Sequence, residues 1–353
     1  MRIAIFISSL RFGGAEKQAV IDAQLLCRHH QVTFIAFRDG ELYGQLPDSV
    51  EFIPLAKTNY FATARRLAKL LRRSKIEVVH AHLFAPMVIS SLASLLCKTA
   101  VVWNFHSHAY EDAGKGRWTH SFASKFPGVK SILFPAGELK AYYRMEHYTF
   151  PARKELIFFN SGQFFERQPL RTATTEKVVI GYVGRIIALK RVHLLIDLAR
   201  EMKDEGFTHF EISIVGDGTA LPEIKSQAKE LDVLDLVNFH GFQPDTQKYY
   251  RDFSIFALPS REEVLSLSLI DAQLTGLPCV AFDVGGNTDI IENGVSGYIV
   301  SEERAFLEKI KALAKDKALR QEMGKKAIEQ STEKFSQKAR YENMVKLYES
   351  VLC

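Results

Sequence analysis

The chain has 353 residues, of which 47% are hydrophobic and 25% are charged. This composition is typical of a globular protein and excludes a disordered or repetitive chain, and the length favours two domains over one. Basic residues exceed acidic residues by 46 − 41 = 5, a mild excess that suits an anionic ligand or an anionic membrane surface and does not call for nucleic acid.

No segment has the length of a membrane span, and the opening MRIAIFISSL predicts a first strand and not a signal peptide. The four cysteines lie far apart, at Cys27, Cys97, Cys279 and Cys353. That spacing predicts reduced thiols in the cytoplasm and neither a zinc site nor a disulfide framework.

The chain opens with a strand, a glycine loop and a helix. Residues 3–7 are continuously apolar, Gly13 and Gly14 follow, and a helical pattern begins near Ala19. The glycine pair allows a ligand to approach the backbone, and the helix start favours negative charge, although a tight turn alone also explains the pair. Further short apolar runs alternate with helical patterns, so the first half predicts an α/β sheet.

The predicted helix over residues 60–74 has one apolar face and one basic face. Its inward positions are Phe61, Ala64, Leu67, Ala68 and Leu71. Its outward cations are Arg65, Arg66, Lys69, Arg72 and Arg73. Such a basic amphipathic helix can lie against anionic lipid, whereas an ordinary surface helix with solvated charges explains the pattern slightly better.

Histidines end two of the predicted strands. His80 and His82 lie in VVHAH, and His106 and His108 lie in VVWNFHSH. Strand ends place them at the ligand edge of an α/β sheet. No carboxylate or cysteine completes a set of metal ligands at the right spacing, so a hydrogen-bonded core role is favoured for His80, His82 and His108. For His106 a role at the ligand site and a core role both stay open.

The second half restarts the α/β alternation after a polar, proline-bearing stretch over residues 163–177, which is typical of a linker and places the domain boundary near residue 170. Residues 177–183 predict a strand. Gly184 and Arg185 end it, and Lys190 falls about where a helix begins. Cations at a helix N-terminus oppose its dipole, so a bound polyanion is the better explanation for them than solvated surface charge.

Two glycine turns follow the next two predicted strands. Gly216 and Gly218 flank Asp217 after the strand over residues 210–215, and Gly241 with Phe242 follows the strand near residue 237. The first turn is no dinucleotide fingerprint, because position 221 is leucine where glycine or alanine belongs.

Residues 256–283 predict a buried strand, a loop with Glu263, a helix and a second buried strand. The helix begins among four residues, namely Leu265, Ser266, Leu267 and Ser268. Its free N–H groups suit a phosphate. Glu263 and Asp271 are eight positions apart and share one face if the helix begins early enough, where they can hold hydroxyl groups. The pattern is explained equally well if Glu263 is a solvent-exposed loop residue and Asp271 is an ordinary charge on the helix surface.

Taken together and in this order, the motifs resemble those of the GT-B-fold glycosyltransferases of family 4 type. The resemblance rests on Gly13-Gly14, Asn160-Ser161-Gly162, the Arg185…Lys190 pair, Gly216-Asp217-Gly218, the Glu263…Asp271 pair and Asp283-Val284-Gly285-Gly286. It implies an α/β fold of two Rossmann-like domains facing a central cleft. The expected domains are an acceptor-side domain over 1–168, a nucleotide-sugar domain over 169–335, and a final helix over 336–353 that crosses back to the first domain.

The resemblance also implies roles for single residues. Those expected to carry catalysis are His106 and Glu263 at the transferring sugar, and Arg185 and Lys190 at the donor diphosphate. Those expected to bind the donor are Gly14, Gly216, Gly241, Phe242, Leu265, Ser266, Leu267, Ser268 and Asp271, the last at the ribose. No metal ligand and no cofactor is expected.

The implied function is a retaining, metal-independent transfer from a nucleotide-diphosphate sugar, with UDP favoured over GDP, to a glycan or lipid-linked acceptor in polysaccharide or glycoconjugate synthesis. The enzyme is expected in the cytoplasm, with a peripheral membrane contact through residues 60–74 and no nucleic acid partner. Two alternatives remain: an epimerase or phosphorylase on the same fold, or a non-catalytic nucleotide-sugar-binding protein, because Val264, Ser266 and Asp271 depart from the family pattern.

Overall fold

The computed structural model describes residues 1–108, 113–163 and 177–353. The chain forms two compact units: unit 1 comprises Met1–Asn160 and Gln337–Cys353, and unit 2 comprises Ser161–Ser336. The domain boundary predicted between residues 168 and 169 lies outside the described residues. Unit 2 begins at Ser161, before that predicted position in the sequence.

Unit 1 is a parallel sheet covered by helices. Its strands are β1 (Arg2–Ser9), β2 (Gln31–Arg38), β3 (Glu51–Pro54), β4 (Val78–His82), β5 (Ala100–Asn104), β6 (Val129–Phe134) and β7 (Glu155–Ile157). Its first helices are α1 (Gly14–Leu26), α2 (Tyr60–Arg73), α3 (Phe84–Ser94), α4 (Ala113–Ala123) and α5 (Gly137–Met145). The strand order is β3-β2-β1-β4-β5-β6-β7, so the direction of winding reverses between β1 and β4.

Unit 2 repeats this plan. Its strands are β8 (Val178–Val183), β9 (Phe210–Val215), β10 (Val237–Phe239), β11 (Ile255–Leu258), β12 (Cys279–Phe282) and β13 (Gly297–Val300). Its helices are α6 (His193–Asp204), α7 (Leu221–Glu230), α8 (Gln247–Asp252), α9 (Leu267–Leu274), α10 (Asn287–Ile290), α11 (Glu303–Lys315) and α12 (Lys317–Phe335). The order β10-β9-β8-β11-β12-β13 reverses between β8 and β11.

The central strands explain why the sequence shows apolar runs and not alternation. All five residues of β4 and of β5 are buried, and so are all four of β11 and of β12. Parallel strands covered by helices on both faces bury every side chain. The prediction of two α/β units with parallel sheets is therefore confirmed.

The last helix, α13 (Gln337–Leu352), belongs to unit 1. Arg340 on α13 forms a buried, two-pronged ion pair with Asp22 on α1, with Nε–Oδ1 and Nη2–Oδ2 distances of 3.0 and 2.7 Å. Its Nη1 donates to the carbonyl of Phe159 at 2.7 Å. Because both charged groups lie out of water, the geometry has to satisfy them fully, which fixes α13 against α1.

One prediction for α2 is wrong. Ala64, Leu67, Ala68 and Leu71 are buried as expected, but Phe61 is 72% exposed. Helix α2 contacts α3, and its buried positions form a stripe along it. Phe61, in the first turn, is exposed and contributes to the wall of a cavity. Among the described ranges, none of the helices combines the length and apolar character that a membrane span requires.

Candidate functional site

The first candidate site lies at the carboxyl edge of the unit 2 sheet, where the winding reverses between β8 and β11. Lys190, in a short 3-10 turn after β8, places its Nζ 2.7 Å from Oε1 of Glu263, which follows β11. Ser260 Oγ donates to the same carboxylate oxygen at 2.7 Å. Both charged side chains are largely buried, 15% and 12% exposed. The switch point of such a sheet is where its ligands bind.

Arg185 belongs to the same electrostatic surroundings. Its side chain is exposed, and its carbonyl accepts a 2.8 Å hydrogen bond from the hydroxyl of Tyr182. Burial raises the pKa of Tyr182; the Glu263 carboxylate raises it further, and the Arg185 guanidinium lowers it. Both charges therefore act on one buried phenol, and the structure brings Arg185, Lys190 and Glu263 to one end of β8.

The glycine turns after β8, β9 and β10 pack backbone against backbone. The Gly216 N–H donates to the Gly241 carbonyl at 2.8 Å, and a Cβ on Gly216 would lie 1.8 Å from the carbonyl oxygen of Gly184. Gly216 also has a φ of 144°. Only glycine fits this contact. The three turns are therefore packed against one another directly before Arg185, and Phe242, which follows Gly241, is half exposed.

The loop that carries Glu263 is held by two features that the sequence analysis missed. A Cβ on Gly285, whose φ is 57°, would lie 2.0 Å from the Glu263 carbonyl oxygen, and Gly286 N–H donates to the Val264 carbonyl at 2.7 Å. Arg191 donates to the Pro259 carbonyl at 2.9 Å. The turn after β12 is therefore a support for the acid loop, a role that becomes visible only when the two loops are adjacent.

Helix α9 begins as predicted. Ser266 is its N-cap, with its Oγ accepting from the Leu269 N–H at 3.3 Å, and Leu265 is buried beneath it. The N–H groups of Leu267 and Ser268 lie in the first turn, which has no earlier helical carbonyl to bond. Since α9 begins only at Leu267, Glu263 lies in the loop before it and does not share a helix face with Asp271.

Asp271 is fully buried on α9. Its Oδ1 accepts from the Gln163 backbone N–H at 2.7 Å, and its Oδ2 accepts from the Gln163 side-chain amide at 3.2 Å. A Cβ on Gly162 would lie 2.8 Å from the same Oδ1. In this structure the carboxylate holds the start of unit 2 against α9.

The glycine loop of unit 1 leads directly into α1. Gly13 is the N-cap, with extended backbone, and α1 begins at Gly14. A Cβ on Gly13 would lie 2.2 Å from Oε2 of Glu16, so the Glu16 carboxyl folds back over the loop, and burial raises its pKa. This loop follows β1, at the switch point of the unit 1 sheet.

A stack of histidines occupies the neighbouring strand ends. His82 Nδ1 lies 2.8 Å from His106 Nε2, with the ring centroids 5.1 Å apart, and His80 stacks on His82 with centroids 4.4 Å apart. His80 Nδ1 lies 2.7 Å from the Tyr348 hydroxyl. Burial, and then the Arg340 charge, lower the pKa of His106 to about 3. His106 is therefore a neutral imidazole, oriented by His82.

One expectation about these histidines needs correction. In the sequence no carboxylate lies at ligand spacing from His80 and His82, yet the fold brings Asp22 to them, with candidate ligand atoms within 4.8 Å of one another. The carboxylate comes from α1 and is distant in sequence, so spacing could not reveal it. The set does not suit a cation, because Asp22 already binds Arg340 and accepts from Gln18 at 2.8 Å, and the guanidinium would repel a metal ion.

Two doubly wound parallel sheets, each with polar groups at its switch point, are the plan of a GT-B fold. Two family descriptions together match nearly the whole chain: "Glycosyltransferase Family 4" matches residues 12–157, and "Glycosyl transferases group 1" matches residues 163–330. The chain belongs to this glycosyltransferase family.

Individual relatives extend over most of the chain. An "Uncharacterized glycosyltransferase" of Haemophilus influenzae is 24% identical over 322 residues, or 88% of this chain and 89% of its own. The "GalNAc-alpha-(1->4)-GalNAc-alpha-(1->3)-diNAcBac-PP-undecaprenol alpha-1,4-N-acetyl-D-galactosaminyltransferase" of Campylobacter jejuni is 24% identical over 337 residues, or 92% and 91%. The crystal structure of Anabaena Alr3699/HepE in complex with UDP has the same fold, with a TM-score of 0.85 at 18% identity over 99% of this chain and 100% of that chain.

Proposed function

We propose that this enzyme transfers a sugar from UDP-sugar to a lipid-linked glycan, with retention of anomeric configuration and without a metal ion. The observation that carries the proposal is the Lys190–Glu263 pair at the switch point of unit 2, with Arg185 at the same strand end. UDP as the nucleotide is supported by the HepE structure, which contains it.

The donor diphosphate binds beside Arg185, Lys190 and the first turn of α9. A departing nucleoside diphosphate gains negative charge as its bond to the sugar breaks, and preorganised cations and N–H groups stabilise that charge. In the structure Lys190 already neutralises Glu263, so the donor phosphates share its ammonium group. The packed glycine turns at Gly216 and Gly241, with Phe242 beside them, are proposed to receive the nucleoside.

Glu263 and Asp271 are proposed to accept hydrogen bonds from hydroxyl groups of the donor. The Glu263 carboxylate, to which Ser260 donates a hydrogen bond, accepts hydrogen bonds from hydroxyl groups of the transferring sugar and holds the sugar in the reactive orientation. Asp271 is proposed to bind the ribose by exchanging one hydrogen-bond donor for another. A ribose hydroxyl would replace the Gln163 side-chain amide, which donates to Asp271 at 3.2 Å.

The transfer itself needs no metal and no protein base in this proposal. The bond between the anomeric carbon and the phosphate oxygen breaks, and its electron pair stays on the diphosphate. The acceptor oxygen bonds to the anomeric carbon from the same face, and its proton goes to a diphosphate oxygen. In unit 1, His106 is proposed to act as a neutral hydrogen-bonding group held by His82, and the start of α1 at Gly14 as a place that favours negative charge.

The acceptor is proposed to be lipid-linked because the Campylobacter relative is named for an undecaprenol-linked substrate. The basic face of α2 suits an anionic lipid surface, so the enzyme is proposed to work at the cytoplasmic face of a membrane as a peripheral protein. Such substrates are intermediates of polysaccharide and glycoconjugate synthesis.

A donor screen tests the proposal. Thermal unfolding is measured with UDP-sugars and GDP-sugars in EDTA, since a ligand that binds only the folded state raises its apparent stability. We expect a shift with at least one UDP-sugar that EDTA does not remove. Proton NMR of the product formed from an α-linked donor should show an α-linkage. Binding that depends on an added divalent ion, or a β-linked product, would contradict the proposed mechanism.

A further inference from the structure

Arg191 has a backbone conformation that residues with a side chain rarely adopt. It follows Lys190 in the turn after β8, with φ 46° and ψ 37°. This left-handed region costs free energy for a residue with a Cβ and almost none for glycine. Strained residues persist where the surrounding structure fixes them, and they cluster at functional sites. The fold must offset this cost, and the side chain of Arg191 makes the contacts that can do so.

The Arg191 guanidinium lies across the ends of two neighbouring strands, β11 and β12. Its Nε donates to the carbonyl of Pro259, directly after β11, at 2.9 Å. Its Cζ lies 4.0 Å from the ring centroid of Phe282, the last residue of β12, which is a cation–π contact. Its Nη1 pairs with Glu303, the first residue of α11, at 3.0 Å. The side chain is only 17% exposed, so it is a fixed part of this edge of the sheet.

The Lys190 turn is joined to the loop that carries Glu263 by two kinds of contact. Lys190 makes the first kind with its ammonium group, which lies 2.7 Å from the Glu263 carboxylate. The second kind does not involve that group: the Arg261 N–H donates to the Leu189 carbonyl at 2.8 Å, and Arg191 donates to the start of the loop. The Arg191 side chain therefore links the same two segments that the ion pair links.

We propose that Arg191 is a positioning residue for the transfer, which holds the Glu263 loop in place while the donor diphosphate shares the Lys190 ammonium group. An anionic diphosphate competes with Glu263 for that group. The guanidinium already faces the ring of Phe282 and the carboxylate of Glu303, so its contacts stay when the donor binds. The inference rests on the proposed function, since Arg191 acts through Glu263 and touches neither donor nor acceptor.

A double-mutant cycle tests the proposal on the full chain, with turnover measured on the UDP-sugar that gives the largest thermal shift. We expect Arg191→Ala to lower kcat at least about tenfold in the otherwise wild-type enzyme. In the Glu263→Ala background the same change should lower kcat less than about threefold, because the group that Arg191 positions is already gone. Equal losses in the two backgrounds, or an unchanged kcat in Arg191→Ala, would overturn the inference.

Arg200→Ala is the matched control for lost stability. Arg200, in the second half of α6, also has a carboxylate and a backbone carbonyl as partners: it pairs with Asp204 at 2.9 Å and donates to the Leu231 carbonyl at 3.3 Å. We expect Arg200→Ala to keep kcat close to wild type at a temperature where thermal unfolding shows both variants to be folded. A loss of kcat equal to that of Arg191→Ala would mean that any missing guanidinium has this effect, and would contradict a positioning role.

Amide hydrogen exchange separates this inference from the proposed function, because it needs no turnover. In Arg191→Ala the amides of residues 260–264 should exchange at least about tenfold faster than in the wild type, with and without UDP, whereas Arg200→Ala should leave them unchanged. Absence of UDP binding to the wild type, measured by titration calorimetry, would defeat the proposed function. Unchanged exchange in Arg191→Ala would overturn this inference whether or not UDP binds.

Discussion

The two sheets share one topology and differ in chemistry at their carboxyl edges. In unit 2 the switch point carries Lys190, Glu263 and Arg185. In unit 1 the corresponding edge carries the neutral His106, oriented by His82, beside an apolar cavity. Topology determines where each unit can bind a ligand, and the side chains determine which ligand it is.

The contrast matches the two partners of the proposed sugar transfer. A diphosphate leaving group gains charge during the reaction and needs cations near it. An acceptor hydroxyl is neutral, and a lipid attached to it needs an apolar surface. In unit 1 the charges of Arg340 and Asp22 are paired with each other beside the histidine stack.

The largest expected effect comes from breaking that buried pair. Arg340→Met leaves Asp22 as an unpaired charge in a site without water, and should lower the free energy of unfolding by about 3–5 kcal/mol. Urea denaturation measures the change.

The double variant D22N/R340M removes both charges and serves as the control, because it leaves no buried ion. We expect it to lose clearly less stability than Arg340→Met alone. Equal losses would mean that shape, and not charge, is what the pair contributes.

A second effect concerns the charged edge of unit 2. Glu263→Ala removes the carboxylate proposed to orient the donor sugar, and should lower kcat at least about 10²-fold. The exposed neighbour Glu262→Ala is the matched control and should retain turnover close to wild type. Turnover is followed by UDP release, and thermal unfolding of each variant separates lost chemistry from lost stability.

If the Glu263→Ala variant keeps its activity, Glu263 has no part in the reaction. A variant that is inactive only because it unfolds at the assay temperature would instead give the Lys190–Glu263 pair a structural role.

An effect that is spread over a range of pH tests the neutrality of unit 1. Burial lowers the pKa of His120 to about 3, whereas in the unfolded chain a histidine has a pKa near ~6.5. The unfolded state therefore binds a proton that the folded state does not, and the stability is lost as pH falls from ~6.5 towards 3, by about 1.4 kcal/mol per pH unit per histidine. His120→Phe should reduce this slope by one histidine's share, measured by urea denaturation between pH 7 and pH 4. An unchanged slope would show that His120 titrates normally in the fold.

Much of the fold followed from local sequence. Buried parallel strands are continuously apolar, so β1, β8 and β11 could be recognised as runs. Features that depend on distant segments could not be read in this way. Asp22 reaches the histidines only through α1, and Phe61 obeys the helical period yet is exposed.

The residues of the candidate site also divide into those that local sequence indicated and those that depend on distant segments. Arg185 and Lys190 were found because cations at a strand end and near a helix start are unusual. Ser260 was missed, because a serine after a strand has many ordinary roles, and only the 2.7 Å contact with Glu263 singles it out. Asp271 was expected to be available to a ligand; its bonds to Gln163 depend on where the start of unit 2 lies.

The central claim is that the switch point of unit 2 binds a nucleoside diphosphate through Lys190. Titration calorimetry with UDP tests it in Lys190→Ala and in Lys177→Ala, a lysine before the other end of β8 that pairs with Glu211 at 2.9 Å. We predict that Lys190→Ala weakens UDP binding at least about tenfold while Lys177→Ala binds like the wild type. Equal UDP affinity in both variants would contradict the account.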